Sequence, residues 1–280
     1  MISRYYLLRK LWVSLRYSMI LLTLGVTLFP IYWFAMISLK TQREAFRTPP
    51  DWIFRPTIVH YQRLFSGQVR FLDYFSNSIV IAFVSTAIAL FVGAAAAYSL
   101  SRARFRGRNT VLLTVLTSRM LPPMLFVIPY YLFFARHGLL DTRLGLIVVF
   151  LQFNLTLAIW SMRAFFDDIP LELEQAAYID GASDFQTFWR IVLPLSAPGL
   201  AATAVLCLIM SWNNFVYALL LTRSRSITAP VAVVMFASHE AAEWGMVAAG
   251  ALVLTMPVIF FVFLVRKYLV IGLLGGAIKE

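Results

Sequence analysis

Six apolar runs divide the chain, at residues 17–39, 75–100, 111–135, 144–166, 198–221 and 244–265. Each is near the roughly 20 residues that a helix needs to cross the hydrocarbon of a bilayer, and lipid offers an unpaired backbone N–H or C=O no partner. The expected fold is therefore an all-α membrane protein with six transmembrane helices and both termini on one side. Composition agrees, since 61% of the residues are hydrophobic and only 13% charged, which excludes a soluble single-core domain. A formal charge of +11 would suggest nucleic acid in a soluble protein. Here the basic residues lie between the apolar runs, where they set topology, and no nucleic-acid partner is expected.

Residues 1–16 form a polar N-terminal segment with Arg4, Arg9, Lys10 and Arg16, and the transmembrane domain takes residues 17–280. The run at 17–39 is too long for the apolar part of a signal peptide and no small-x-small site closes it, so it is expected to be a retained first span. Arg102, Arg104, Arg106 and Arg108 crowd the shortest loop, which places that loop in the cytoplasm. The termini, the tail at 266–280 and the polar interval at about 167–197 then share the cytoplasmic side. The loops at about 40–73, 136–143 and 222–243 face outward. The first of these also carries Lys40, Arg43, Arg47, Arg55, Arg63 and Arg70, and its length weakens the rule there without overturning it. With three prolines at 49, 50 and 56 and several aromatics, it is expected to be ordered.

The interval DDIPLELEQAAYIDGASDFQTFWRIVLPLSAP has its own punctuation. Asp168 can cap a helix whose second position is Pro170, and Gly181 can take the left-handed conformation that ends it. Ser183 with Gln186 fits a capping box, and Phe185, Phe188, Trp189 and Val192 fall at the spacing of one apolar helix face. Leu193-Pro194 is expected to end this second helix. Each helix is about 10 residues, roughly 15 Å, too short to span. Two uses remain open for this helix–turn–helix knuckle: docking a partner, or lying flat on the lipid surface.

Within the spans, residues 93–97 are a small-residue run that lets another helix approach closely. Pro122, Pro123 and Pro129 predict a bent helix lining a cavity. Arg119 beside them either faces a polar path or snorkels to headgroups. In the fifth span Ser211, Trp212, Asn213 and Asn214, with Met210 and Tyr217, put amides, a hydroxyl and aromatics on one face. That chemistry suits sugar hydroxyls and C–H faces, although the amides could equally hold helices together.

Several chemistries are absent. None of the four lysines follows a glycine, so there is no phosphate-binding loop for ATP, and no HExxH or Ser/His/Asp set can be assigned. The chain is expected to be non-catalytic. Cys207 is the single cysteine, and His60, His137 and His239 are too scattered for a metal site. The His239-Glu240 pair reads as a solvated loop feature.

Glu174-Gln175-Ala176-Ala177, Asp180-Gly181-Ala182, Ile191 and Leu193-Pro194 resemble the EAA loop of permease subunits of binding-protein-dependent ABC importers. Trp212-Asn213-Asn214-Phe215, Thr228-Ala229-Pro230, Leu269-Val270-Ile271-Gly272-Leu273 and Gly275-Gly276-Ala277-Ile278-Lys279 extend the resemblance to the second permease of maltose-type carbohydrate importers. The stretch at 138–146 is similar to sugar and polyol permeases. This resemblance implies a type I ABC importer permease in a bacterial inner membrane, with both termini cytoplasmic. Its implied partners are a homologous second permease, two ATPase subunits and an extracytoplasmic sugar-binding protein, besides membrane lipid. It implies no cofactor on this chain, with ATP and Mg used by the ATPases. The ATPase-coupling residues would be Glu174, Gln175, Ala176, Ala177, Asp180, Gly181, Ala182, Phe185, Leu193 and Pro194; substrate-path candidates are Arg119, Asn213, Asn214 and Tyr217. Gln175 stands where the family motif often has Glu. Alternatives from other classes are a permease for a non-sugar solute, a non-transporting receptor or scaffold, and a membrane enzyme.

Overall fold

A computed structural model describes residues 2–67, 69–103, 105–237 and 243–275, and the elements among them are helical. In chain order they are α1 (Ile2–Ser38), α2 (Gln42–Ala45), α3 (Val59–Phe65), α4 (Phe71–Arg102), α5 (Arg108–Met120), α6 (Met124–His137) and α7 (Arg143–Asp167). There follow α8 (Leu171–Ile179), α9 (Asp184–Thr187), a π turn (Phe188–Val192), α10 (Leu193–Leu195), α11 (Ala197–Trp212), α12 (Val216–Leu221), α13 (Ala229–Met235) and α14 (Trp244–Gly275).

Among the described residues, four helices are long and apolar enough to cross a membrane alone: Arg9–Ser38, Phe71–Arg102, Arg143–Asp167 and Trp244–Leu264. Up to six spans are reached if each of two bent helix pairs, Arg108–Met120 with Met124–His137 and Asp184–Leu195 with Ala197–Trp212, counts as one. The third span is broken rather than bent, because α5 and α6 meet at 94°. Pro122 and Pro123 have no N–H to continue the ladder, and Leu121 before them is extended (ψ 135°), as a residue preceding proline tends to be. Pro129 sits inside α6. The fifth span is broken as well: α11 stops at Trp212, residues 213–215 are non-helical, and α12 resumes at Val216. The last helix continues to Gly275, ten residues past the expected end, while Gly276, Ala277, Ile278 and Lys279 lie outside the described residues, as do His239 and Glu240.

The chain divides into two compact units. In the unit formed by residues 1–69 and 233–255, α1 leaves its apolar side chains largely exposed, Leu21, Leu22 and Val26 among them, as a lipid-facing helix does. The outer loop is ordered around Lys40, which is only 2% exposed. Its ammonium donates to the Asp51 carbonyl at 2.6 Å and lies 5.0 Å from the centre of the Phe54 ring. His60 bonds the Lys40 carbonyl through Nε2 at 2.9 Å, and a side chain at Gly245 would run into its ring.

In the unit formed by residues 70–232 and 256–280, α4 packs along α7. A Cβ at Gly93 would sit 2.6 Å from the Cβ of Ala158, so the small-residue run serves close packing within the chain. At one end of this pair, Asp141 adopts φ +54°, a left-handed conformation that Asp tolerates better than most residues. Its carboxylate accepts the backbone N–H groups of Arg223, Ser224, Arg225 and Ser226 at 3.0–3.2 Å. Asn77 donates to the carbonyls of Arg225 and Ile227 at 3.0 and 2.9 Å and accepts from Arg143 Nε at 2.7 Å. The loop at 222–228 is thereby fixed to α4 and α7.

Burial alone would push the Asp141 carboxyl up, but the N–H groups of Arg223, Arg225, Ser226 and Ser224 outweigh it and hold it well below the usual carboxylate range. Its stabilising contribution is thus fully present above the unfolded value of about 4 and is lost as pH falls through the depressed folded value. Asp141→Asn is expected to lower the melting temperature at pH 7 and to abolish this acid-dependent component. Hydrogen exchange at the 223–226 amides across pH would read both effects; protection unaltered by the substitution would contradict them.

Candidate functional site

The knuckle is built from α8 and α9. Asp168 does not cap α8: it closes the end of α7 in an αR conformation, and Pro170, with no side-chain cap bond, precedes the first residue of α8. The Ile169 N–H donates to the Phe166 carbonyl at 3.1 Å, continuing the turn that ends α7. Helix α8 ends as expected. Gly181 has φ +85°, its N–H donates to the Tyr178 carbonyl at 3.1 Å, and the Ala182 N–H donates to the Ala177 carbonyl at 2.9 Å, the two bonds of a Schellman motif. The capping box is present too: Ser183 Oγ accepts from the Gln186 N–H at 3.3 Å and Gln186 Oε1 accepts from the Ser183 N–H at 3.0 Å.

The second helix does not stop at Leu193-Pro194. It passes through the π turn into α10 and bends only at Ser196, before α11, at 76°. A proline ring clashes with the carbonyl four residues back, here that of Arg190, and the wider π turn leaves it room. The widening also splits the expected apolar face. Phe188 and Val192 are buried against Tyr98, Met162 and Phe166, whereas Phe185 is 71% exposed.

Exposure divides the predicted coupling residues. Gln175, Ala176, Asp180, Gly181, Phe185 and Pro194 face outward, Ala182 and Leu193 are half-buried, and Glu174 and Ala177 are turned inward. Ile179, 86% exposed, is the most prominent apolar side chain of the knuckle and was not singled out from sequence. Glu174 is 3% exposed; its carboxylate accepts from Arg102 Nε at 2.7 Å and from the Tyr98 hydroxyl at 2.8 Å. It therefore holds the knuckle to α4 and presents no surface for docking.

A cavity of about 420 Å³ opens where α11 is broken, and Asn213, Asn214 and Tyr217 line it together with Met210, Phe153 and Asn154. Arg119 is not among the lining residues; its Nη2 donates to the sulfur of Met210, which is, at 3.2 Å. The expectation of one continuous helix face fails, because Asn213 and Asn214 occupy the unwound turn. Non-helical backbone at membrane depth is stable only where it lines a cavity or is buried in protein. Tyr217 is 1% exposed, and its hydroxyl donates at 3.1 Å to the Pro123 carbonyl, so it forms the wall and offers its ring. Asn214 Oδ1 is buried and has no hydrogen-bond partner among the described residues.

Helices are held together here by other polar groups. Asn154 Nδ2 donates to Ser211 Oγ at 2.8 Å and to Ser85 Oγ at 3.3 Å, and all three residues are buried. Asn154 was missed, although the two amides inside the apolar run at 144–166, Gln152 and Asn154, were a signal for it. Among the described residues no group of His, Cys, Asp or Glu could hold a metal ion. Tyr217→Phe is expected to remove one of the two hydrogen bonds to the Pro123 carbonyl, the other coming from the Phe126 N–H, and to cost about 0.5–1.5 kcal/mol. A detergent melt of the variant indistinguishable from the parent would refute that role.

The sequence profile described as "Binding-protein-dependent transport system inner membrane component" matches residues 89–271. The chain is 39% identical over 264 residues to the trehalose transport system permease protein SugB of Mycobacterium tuberculosis, covering 92% of this chain and 94% of that one. It is 35% identical over 257 residues to the trehalose/maltose transport system permease protein MalG of Thermococcus litoralis, covering 91% and 92%. Among solved structures, a bacterial ABC transporter involved in the import of the acidic polysaccharide alginate matches with a TM-score of 0.73 at 25% identity, over 92% of this chain and 96% of that one.

Proposed function

Since the chain belongs to the family of binding-protein-dependent transport system inner membrane components, we propose that it is the multi-pass permease subunit of an ATP-driven importer that takes up a carbohydrate. The observation that carries the carbohydrate reading is the cavity at the broken helix. Its amides can bond sugar hydroxyls, and the buried Asn214 Oδ1 is an acceptor awaiting a donor. The rings of Phe153 and Tyr217 supply the apolar faces on which a pyranose stacks. Relatives named for trehalose and maltose support the same class.

Energy comes from outside the chain, through the knuckle. Its exposed apolar residues Ile179 and Phe185 flank the turn at Gly181 and dock in a groove of a partner ATPase. A homologous second permease, two ATPases and an extracytoplasmic binding protein complete the importer, with the knuckle and both termini cytoplasmic. Closure of the ATPases on ATP draws the two knuckles together and turns the cavity from inward- to outward-facing.

Two measurements test this. Uptake by the reconstituted complex, with its binding protein, against a panel of sugars and polyols should find a carbohydrate substrate; Asn213→Leu with Asn214→Leu should abolish that uptake while the complex still assembles. Loss of assembly instead would make the amides structural. At the knuckle, Phe185→Asp should release the ATPases on purification, and Gly181→Val, which forces a β-branched residue into φ +85°, should uncouple hydrolysis from uptake. Unaltered ATPase retention and uptake in both variants would rule out docking there.

A further inference from the structure

The knuckle joins the membrane helices through one buried cluster. Besides Glu174 and the Tyr98 hydroxyl, it contains the Arg102 guanidinium, which donates to the carbonyl of Phe166 at 2.9 Å, to that of Ile169 at 3.2 Å and to Ser101 Oγ at 3.0 Å. One cation at the end of α4 thus holds the end of α7, the linker and α8 together. The Ser101 hydroxyl donates to Asp167 Oδ1, and Arg163 pairs with Asp167 Oδ2 at 3.4 Å. The Tyr98 ring packs against Phe188 at 4.9 Å with a 38° tilt and meets Phe166 edge-on at 5.9 Å. Polar and aromatic contacts therefore hold both knuckle helices to the same turn of α4.

Helix α4 then carries that attachment across the membrane. From Arg102 to Asn77 is 25 residues, about 37 Å of helix at 1.5 Å each. Along that length α4 is in tight contact with α7 at Gly93–Ala158, touches the polar trio Ser85–Asn154–Ser211 beside the cavity, and ends on Asn77 and Ser78, which hold the outer loop.

We propose that Glu174 is a positioning residue whose pairing with Arg102 and Tyr98 transmits displacement of the knuckle to a rigid α4–α7 strut, and through it to the cavity and the outer loop. This rests on the reading of the knuckle as an ATPase dock. Docking and transmission are then separate tasks: Ile179 and Phe185 perform the first on the outer face of the knuckle, and Glu174 performs the second on its inner face. The transmission path is a contiguous chain of packed and hydrogen-bonded groups, as coupling between distant sites requires where it is mechanical.

The experiment measures sugar taken up per ATP hydrolysed in proteoliposomes holding the full importer. A residue that merely stabilises the subunit lowers uptake and hydrolysis together, so their ratio stays constant. Glu174→Gln removes the charge but keeps the shape; it should retain the ATPases, hydrolyse ATP, and lower the ratio about tenfold, the scale of a charge-assisted bond to a buried partner. Tyr98→Phe deletes one hydroxyl and keeps the ring; it should lower the ratio by a smaller factor, and it decides the matter if the first variant fails to assemble. A constant ratio in Tyr98→Phe and in any assembled Glu174→Gln complex overturns the proposal. So does loss of ATPase retention in Tyr98→Phe, which would make the cluster part of the dock. Failure of the parent to retain any ATPase would instead overturn the docking reading itself.

Discussion

A backbone N–H or C=O released from a helix within or beside a membrane has to find a partner, and at several joints among the described residues a particular side chain supplies one. Beside the break between α5 and α6, the Pro123 carbonyl accepts the Tyr217 hydroxyl in addition to the Phe126 N–H. The outer loop after α12 has four successive N–H groups, and Asp141 takes them all; two of its carbonyls go to Asn77. Where α7 ends, the carbonyls of Phe166 and Ile169 go to Arg102. Polar side chains placed this way are structural first. They also fix where the helices can break, and so where a solute-sized cavity can exist.

How legible this was depends on the sequence separation of the partners. The Gly181 turn, the Ser183–Gln186 box and the break at Pro122-Pro123 involve residues within a few positions of one another, and each could be read directly. The pairs Tyr98–Glu174, Asn77–Arg225 and Tyr217–Pro123 lie 76, 148 and 94 residues apart, and no periodicity reports them. The same limit explains the two misassigned details of the knuckle. Asp168 satisfies a local capping rule, yet α7 claims it; Pro194 should stop a helix, yet a π turn accommodates it without ending the element. Asn213 and Asn214 were picked for their chemistry and do line the cavity, but the unwound turn that presents them follows from tertiary structure rather than from composition.

Close packing gives these polar joints their leverage. Gly93 and Ala158 bring α4 and α7 into backbone-range contact, and Gly199 does the same for α11 against the Phe165 ring. A pair so packed has no soft mode for sliding at the contact, because interiors are as dense as organic crystals and respond to volume changes of a single methyl group. Movement of one end is therefore felt at the other. The side chains that attach loops to such a pair become the natural hinges and latches, and they concentrate at its two ends: Arg102 and Ser101 at one, Asn77 and Ser78 at the other.

The position after Glu174 can be understood from the same geometry. Successive residues of a helix are turned by about 100° from each other, so a residue next to a buried carboxylate stands on another face. Gln175 does so: it is exposed while Glu174 is enclosed by Arg102 and Tyr98. A carboxylate at 175 would add to a surface that already carries Glu172, Asp180 and Asp184, all exposed, whereas the charge at 174 is neutralised internally. Replacing Glu by Gln at 175 thus lowers the negative charge of this exposed face by one unit and leaves the internal pair intact. The attachment of the knuckle to α4 does not depend on the identity of residue 175.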